Sequence, residues 1–395
     1  MKVSTGAWVL MCAYPVLPAL AVADEEQVAL RVASVTWPAD YTGAAAPLPD
    51  PRLAQVGKVY LPVLIPKSFL VEKDLQLVVR PTTYTFSSSS NGAVLAFSGT
   101  RIVTDLPGKL PISAEQPEVA TQVTLAEKSA LATTVRAGAA YLATVECRSE
   151  ADTRCADARF VTSLVDTVTF LGGTKGDPPA QSGASAPLPP AKPFDSGFTY
   201  RPAGELLSGS GKGVVSLVNH APGMRFPIES PPAYLNSQVW GIGGKHGPKG
   251  GWGDPANYTY PWRDTFCESR SRATPICPTG KGHQGVDIRP KDNADNKHWV
   301  VAAEDGVITD IGIYTVTLQA KGTRYRYLHM NMDKLAVKVR QAVNRGDRLG
   351  LVSNDFGDTS TTVHLHFEML QNLLGKGWVH VPPYQSLVIA YEKGN

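Results

Sequence analysis

The chain lacks an apolar run suited to crossing a membrane. Its best candidate, Ala7 to Leu20, is interrupted by Pro15 and Pro18, whereas a spanning helix needs about 20 apolar residues. It also lacks an excess of either charge: 38 Lys and Arg against 35 Asp and Glu leave a formal +3, which argues against nucleic acid or a strongly electrostatic membrane surface as partner. No internal repeat, coiled-coil heptad or phosphate-binding glycine loop is present. Cysteine is scarce, with five in 395 residues, and no pair has zinc-knuckle spacing. A metal site in this protein must therefore be built from histidine and carboxylate.

The first residues read as a secretory signal. Lys2 precedes the apolar run, and Ala21-Val-Ala23 is a small-x-small cleavage pattern ahead of Asp24, so we expect residues 1–23 to be removed and the mature chain to be periplasmic or secreted. Cys12 follows the bulky Met11, which disfavours a lipoprotein. Cleavage leaves Cys147, Cys155, Cys267 and Cys277, an even number in an exported chain, which reads as disulfides. Three connectivities are possible. We expect the two local bridges, Cys147–Cys155 and Cys267–Cys277, because each closes a short polar loop within one domain.

A hydrophobic content of 43% is enough for a core in each of two domains. Residues 172–199, rich in Pro, Gly, Ala and Ser, read as an exposed linker. Upstream, residues 24–171 contain segments rich in β-formers, among them 27–37, 58–65 and 75–80, so this domain is expected to be a mainly antiparallel β sandwich, with 158–170 as its last strand. It carries no ligand cluster, and its role is left open between binding, targeting and occlusion of an active site. Residues 200–395 form the second domain.

Chemistry concentrates in that second domain. In Val-His-Leu-His-Phe-Glu the apolar Val363, Leu365, Phe367 and Met369 alternate with Thr362, His364, His366 and Glu368, which is strand spacing and puts both imidazoles on one face. About 80 positions earlier, His283 and Asp287 sit in Gly-His-Gln-Gly-Val-Asp-Ile, where glycines give way to alternating apolar residues, as when a tight loop enters a strand. Catalytic zinc usually takes three imidazole or carboxylate ligands and keeps one position for water. The two clusters can supply that set.

These motifs resemble the LytM and lysostaphin-type zinc endopeptidases, whose members carry His-x-x-x-Asp followed by His-x-His. The resemblance extends over about residues 225 to 390 and includes 299–308 as strand, glycine turn and strand, Arg326-Tyr-Leu-His-Met330 as a Tyr-x-His segment, and 337–352 as a β-hairpin. It implies a mainly β protein whose C-terminal domain is an antiparallel sheet or sandwich of the duplicated hybrid motif type, preceded by the β-rich N-terminal domain. It further implies that His283, Asp287 and His366 bind one zinc ion, and that His364 and His329 assist hydrolysis. His364 would move the water proton to the leaving amine; His329 would position the nucleophile or stabilise the oxyanion. Tyr325, Tyr327 and His329 alternate and are expected on one strand face towards the cleft. Glu368 is either an acceptor fixing an imidazole tautomer or a solvated edge carboxylate.

His220, His246, His298 and His380 lack ligand partners at short spacing and read as surface or packing residues, with a place at the substrate rim left open for His298 and His380. The segment before His283 is longer than the family's usual loop and contains Cys267 and Cys277. Its Trp252, Tyr258, Tyr260, Trp262, Arg263 and Arg270 form either one wall of the cleft or a cross-linked surface excursion. The expected function is an exported zinc metalloendopeptidase acting on peptidoglycan stem peptides or cross-bridges. The alternatives are a catalytically silent module that binds cell wall or activates an amidase, and a bacteriolytic protease acting on Gly-rich peptides. The intact ligand set argues against the silent module.

Overall fold

Strict alternation organises the N-terminal half. Along Ala139–Cys147, the residues Ala139, Tyr141, Ala143 and Val145 face one apolar core, while Ala140 and Leu142 face another, as the two-residue period of a strand requires. In the computed structural model, which describes residues 26–39, 51–108, 116, 118–179 and 195–394, this strand lies inside an antiparallel sheet of six. The order is Gln76–Arg80, Thr83–Ser90, Ala93–Thr100, Ala139–Cys147, Ser129–Arg136, Val119–Leu125. The signal segment and most of the Pro-rich linker lie outside the described residues.

The expected sandwich is corrected by what covers the sheet. One face is closed by the helix Ala158–Asp166 and a two-stranded ribbon of Val63–Pro66 with Val168–Gly172. The 158–170 stretch, read as a strand, is thus helical until Asp166. Val161, Leu164 and Val165 at i, i+3 and i+4 are its buried side chains, and the Asp157 carboxylate accepts from Arg159 N at 2.8 Å to cap its start; helical spacing and the cap prevail over the β-branched composition. The sheet's other face packs against the C-terminal half, where Leu131, Val135, Ala140 and Leu142 meet Leu370 and Trp378.

The C-terminal half is built around Leu365–Leu373, buried along its whole length. It pairs antiparallel with Val286–Pro290, Thr323–Leu328 and Gly377–Val381, and Thr323–Leu328 continues through Thr315–Gln319 to Gly306–Ile311. Ile102–Asp105 of the N-terminal half adds to the same sheet by a parallel bridge, Thr104 to Leu373. The expected hairpin within 337–352 is not one: Ala342–Val343 pairs with Gly306–Ile311, and Arg348–Leu351 pairs with Trp299–Val301. Both cysteine pairs are bonded, Cys147–Cys155 and Cys267–Cys277. No described helix is long and apolar enough to cross a membrane.

Candidate active site

Register brings the two clusters together. Asp287 of Val286–Pro290 is directly opposite His366 of Leu365–Leu373, and Leu328 is opposite His366 on the other side. The two-residue period places Leu365, Phe367 and Met369 in the apolar core, leaving His366 and Glu368 on the face that opens into a cavity of about 110 Å³. His283 enters from the loop before Val286, and its N–H donates to Glu268 O at 2.8 Å.

Three donor atoms converge there. His283 Nε2 is 3.0 Å from His366 Nδ1, His366 Nδ1 is 3.0 Å from Asp287 Oδ1, and His283 Nε2 is 3.4 Å from the same oxygen. Tetrahedral ligands at about 2.0–2.1 Å from zinc stand roughly 3.3 Å apart, so this set has the size of a zinc site. Among the described residues it is the group of His, Cys, Asp and Glu able to hold a metal. His364 Nε2 approaches Asp287 Oδ1 at 3.5 Å, and the His329 ring lies 4.9 Å from that of His364.

The far side of each imidazole decides which nitrogen carries the proton. His283 Nδ1 faces Thr265 O at 2.9 Å, His364 Nδ1 faces Thr362 O at 2.8 Å, His329 Nδ1 faces Asp355 O at 2.8 Å, and His366 Nε2 faces Glu368 Oε1 at 3.0 Å. Carbonyls and carboxylates only accept, so each of these nitrogens donates. This leaves Nε2 of His283 and of His329 as lone pairs, whereas His366 Nδ1 faces the Asp287 carboxylate at 3.0 Å; burial lowers the His366 imidazole, but the Asp287 and Glu368 carboxylates on its two nitrogens raise it overall, so a cation bound there would take the place of the Nδ1 proton. Burial pushes the His283 imidazole down to about 4 and holds His329 well below its ordinary value, where His364 and His366 add to the effect. Both are neutral near pH 7.

Behind His366 lies a buried charge network. Burial alone would raise the Glu368 carboxyl, but Arg326 at 2.5 Å and His380 at 3.3 Å hold it well below the carboxylate range. An ionised Glu368 fixes the His366 tautomer and raises its basicity, and outer partners of this kind typically carry about 10- to 100-fold in metal affinity. We expect Glu368→Gln to stay folded and to bind zinc about 10- to 100-fold more weakly; a zinc-buffer competition titration measures it.

Residues 281–377 match the sequence model of Peptidase family M23. This segment is an M23 peptidase domain. It contains His283, Asp287, His329, His364, His366 and Glu368, and stops short of His380. Solved structures similar to the chain include a peptidase M23 of Pseudomonas aeruginosa described as putative in its own name, at 24% identity over 27% of this chain and 43% of that one, with a TM-score of 0.21. A zinc-containing peptidase from Vibrio cholerae is 25% identical over 30% of this chain and 35% of that one, TM-score 0.22. The catalytic domain of lysostaphin from Staphylococcus simulans is 23% identical over 34% of this chain and 94% of that one, TM-score 0.25. The chain thus spans under half the length of the first two. No curated protein matches it.

Several expectations around the M23 site change. Tyr325 and Tyr327 point into the apolar core rather than the cleft. His329 reaches the cleft because it lies beyond the strand end in a left-handed backbone, φ 69°, which breaks the alternation. Of the aromatic wall proposed for the loop before His283, Trp262 is fully buried, Trp252 is exposed and Tyr260 packs on Phe198. The loop's contributions to the cavity are Arg270 and Arg272. His220 bonds Gln371, His246 stacks near Trp240 and His298 bonds Asp292, while the buried His380 meets Glu368 and has no place at a substrate rim.

Glu268, fully buried beside this loop, accepts from the Ser237 hydroxyl at 2.8 Å and from Arg270 at 3.2 Å. Burial pushes its carboxyl up to about 8. The folded state then keeps a proton that the unfolded chain releases above its ordinary value near 4.5, so this group's contribution to stability is lost as pH rises from about 4.5 to about 8. Glu268→Gln should therefore raise the melting temperature at pH 9 and have a smaller effect at pH 5, as read by thermal denaturation.

Proposed function

We propose that the protein is a zinc metalloendopeptidase in which His283 Nε2, Asp287 Oδ1 and His366 Nδ1 hold one ion, and that it cleaves peptide bonds in peptidoglycan. The observation carrying this reading is the convergence of donors: the outer nitrogens of His283, His364, His329 and His366 are tied to Thr265, Thr362, Asp355 and Glu368, while the inner nitrogens of His283 and His366 close on Asp287 Oδ1 at 3.4 and 3.0 Å with the spacing of a zinc site. A bound zinc ion would polarise the scissile carbonyl and lower the pKa of water towards about 7.

The chain's own groups supply the proton traffic. His364 Nε2, oriented by Thr362, takes the proton of the attacking water and returns it to the leaving amine. Of the two roles considered for His329, the neutral ring with Nδ1–H on Asp355 supports positioning the water, since Nε2 then accepts hydrogen bonds and has none to donate to an oxyanion. Burial of the cluster, with His283 and His364 each 3% exposed and His329 7%, limits competing water.

Peptidoglycan as substrate and export after removal of residues 1–23 rest on the family resemblance and on the N-terminal sequence. Two disulfides support an oxidising compartment. Incubating the purified protein with sacculi, with and without a zinc chelator, and identifying released peptides by mass spectrometry tests the proposal. Chelator-sensitive release of stem or cross-bridge peptides is expected; no release by metal-replete protein would favour a wall-binding module instead.

A further inference from the structure

We propose that Lys128 and Glu146, both from the N-terminal half, are positioning residues for His329, so that the N-terminal sheet is a working part of the catalytic centre. This rests on the role given to His329 above.

His329 occupies a backbone conformation, φ 69°, that costs a non-glycine residue energy and persists only where its surroundings impose it. Its N–H donates to Tyr314 O at 3.0 Å and its carbonyl accepts from Ser353 N at 2.9 Å. Its ring stacks on Tyr314 with an interplanar angle of 16°, stands edge-on to Phe356 at 5.2 Å, and donates to Asp355 O. Tyr314 and the hairpin carrying Asp355 and Phe356 therefore form a box around the imidazole.

Both walls of that box are held from the N-terminal half. The hairpin consists of Asp355–Phe356 paired with Thr359–Ser360 and, among the described residues, with no other strand, and a ribbon this small has little stability alone. Lys128 reaches it from the turn after Val119–Leu125, with a side chain 0% exposed. Its three ammonium protons are matched by Phe356 O at 2.6 Å, Thr359 Oγ1 at 2.8 Å and Asp358 Oδ1 at 2.5 Å. A buried ammonium is tolerated only when so satisfied. Arg148 O adds a bond from Asp358 N at 3.0 Å. On the other wall, Glu146 Oε1 accepts from Tyr314 N at 2.8 Å, and its second oxygen is 3.5 Å from Arg326, the partner of Glu368. The alternation that directs Ala140 and Leu142 to the C-terminal half directs Glu146 there too.

The same turn, from Ala126 to Ser129, lines the cavity beside the imidazoles, and Glu127 reaches Arg272 at 3.1 Å. Positioning and obstruction of substrate by this turn predict opposite signs on removal of the lysine. Full-length Lys128→Met, Glu146→Leu and Glu146→Gln are compared with the parent for kcat, KM, zinc content and the ¹⁵N imidazole signals of His329, assigned with a His329→Gln variant. Lys128→Met and Glu146→Leu should lower kcat by about 10- to 100-fold, leave KM and zinc content near the parent's, and shift or broaden the His329 signals. Glu146→Gln, which keeps an acceptor for Tyr314 N, should restore most of the kcat and the parent signals. A higher kcat in Lys128→Met would mark the turn as an obstruction and overturn the proposal. So would unchanged His329 signals in both Lys128→Met and Glu146→Leu. Should Lys128→Met fail to fold, the Glu146 pair alone decides by the same readouts. The imidazole signals need no substrate, so they test the positioning even if the peptidoglycan reading fails.

Discussion

His364→Ala is expected to keep one zinc ion bound per chain and to lower hydrolysis by about 10²- to 10⁴-fold, the usual contribution of a general acid–base group. The imidazole is 3.5 Å from Asp287 through Nε2 and is outside the tight triangle of His283, Asp287 and His366. Its Nδ1–H is committed to Thr362, so removal strips a proton carrier while leaving the three donor atoms and their acceptors in place. Metal analysis after dialysis, together with the rate of peptide release, checks both halves of the expectation. Equal activity in the variant and the parent would remove His364 from the proton path.

Asp287→Ala has the larger consequence, because it should abolish metal binding and hydrolysis together. Asp287 Oδ1 is the oxygen to which His283, His364 and His366 are all drawn, at 3.4, 3.5 and 3.0 Å. Burial would raise this carboxyl, yet the attraction of His283 and His364 holds it well below its ordinary value, so it is an anion at working pH. Without it, the two ligating imidazoles of His283 and His366 face a cation with no negative charge in contact, and zinc affinity should fall by more than the roughly 10- to 100-fold expected when an outer partner is lost. Competition against a zinc buffer measures the affinity. Far-ultraviolet circular dichroism separates metal loss from unfolding, and zinc retained at the parent's affinity would dismiss Asp287 as a ligand.

What made this site legible is its locality. His366 and Glu368 share a face because a strand has a period of two, and that inference needs a few residues and no partner; the strand starts later than the expected Thr362, so His364 stands in a bend one residue before Leu365. Composition points residues 158–170 towards a strand because Val, Thr and Phe favour strands on average, while the decisive signals for the helix Ala158–Asp166, the i, i+3, i+4 burial of Val161, Leu164 and Val165 and the Asp157 cap, compete with that composition. Alternation groups Tyr325, Tyr327 and His329 only while the strand lasts; a single left-handed residue at its end turns the histidine alone towards the cleft.

The sequence by itself determined the donor types and the placing of His366 and Glu368 on one strand face, and it favoured the two short disulfide loops, because each depends on covalent order and local backbone geometry. Only the tertiary structure decided that Asp287 stands opposite His366, that Glu368 is locked between His366, Arg326 and His380, and that Lys128 and Glu146 reach the site from the other half of the chain. Those contacts arise from sheet register and from the packing of one apolar sheet face onto another. They join residues far apart in the chain through interactions that leave no periodic trace in it.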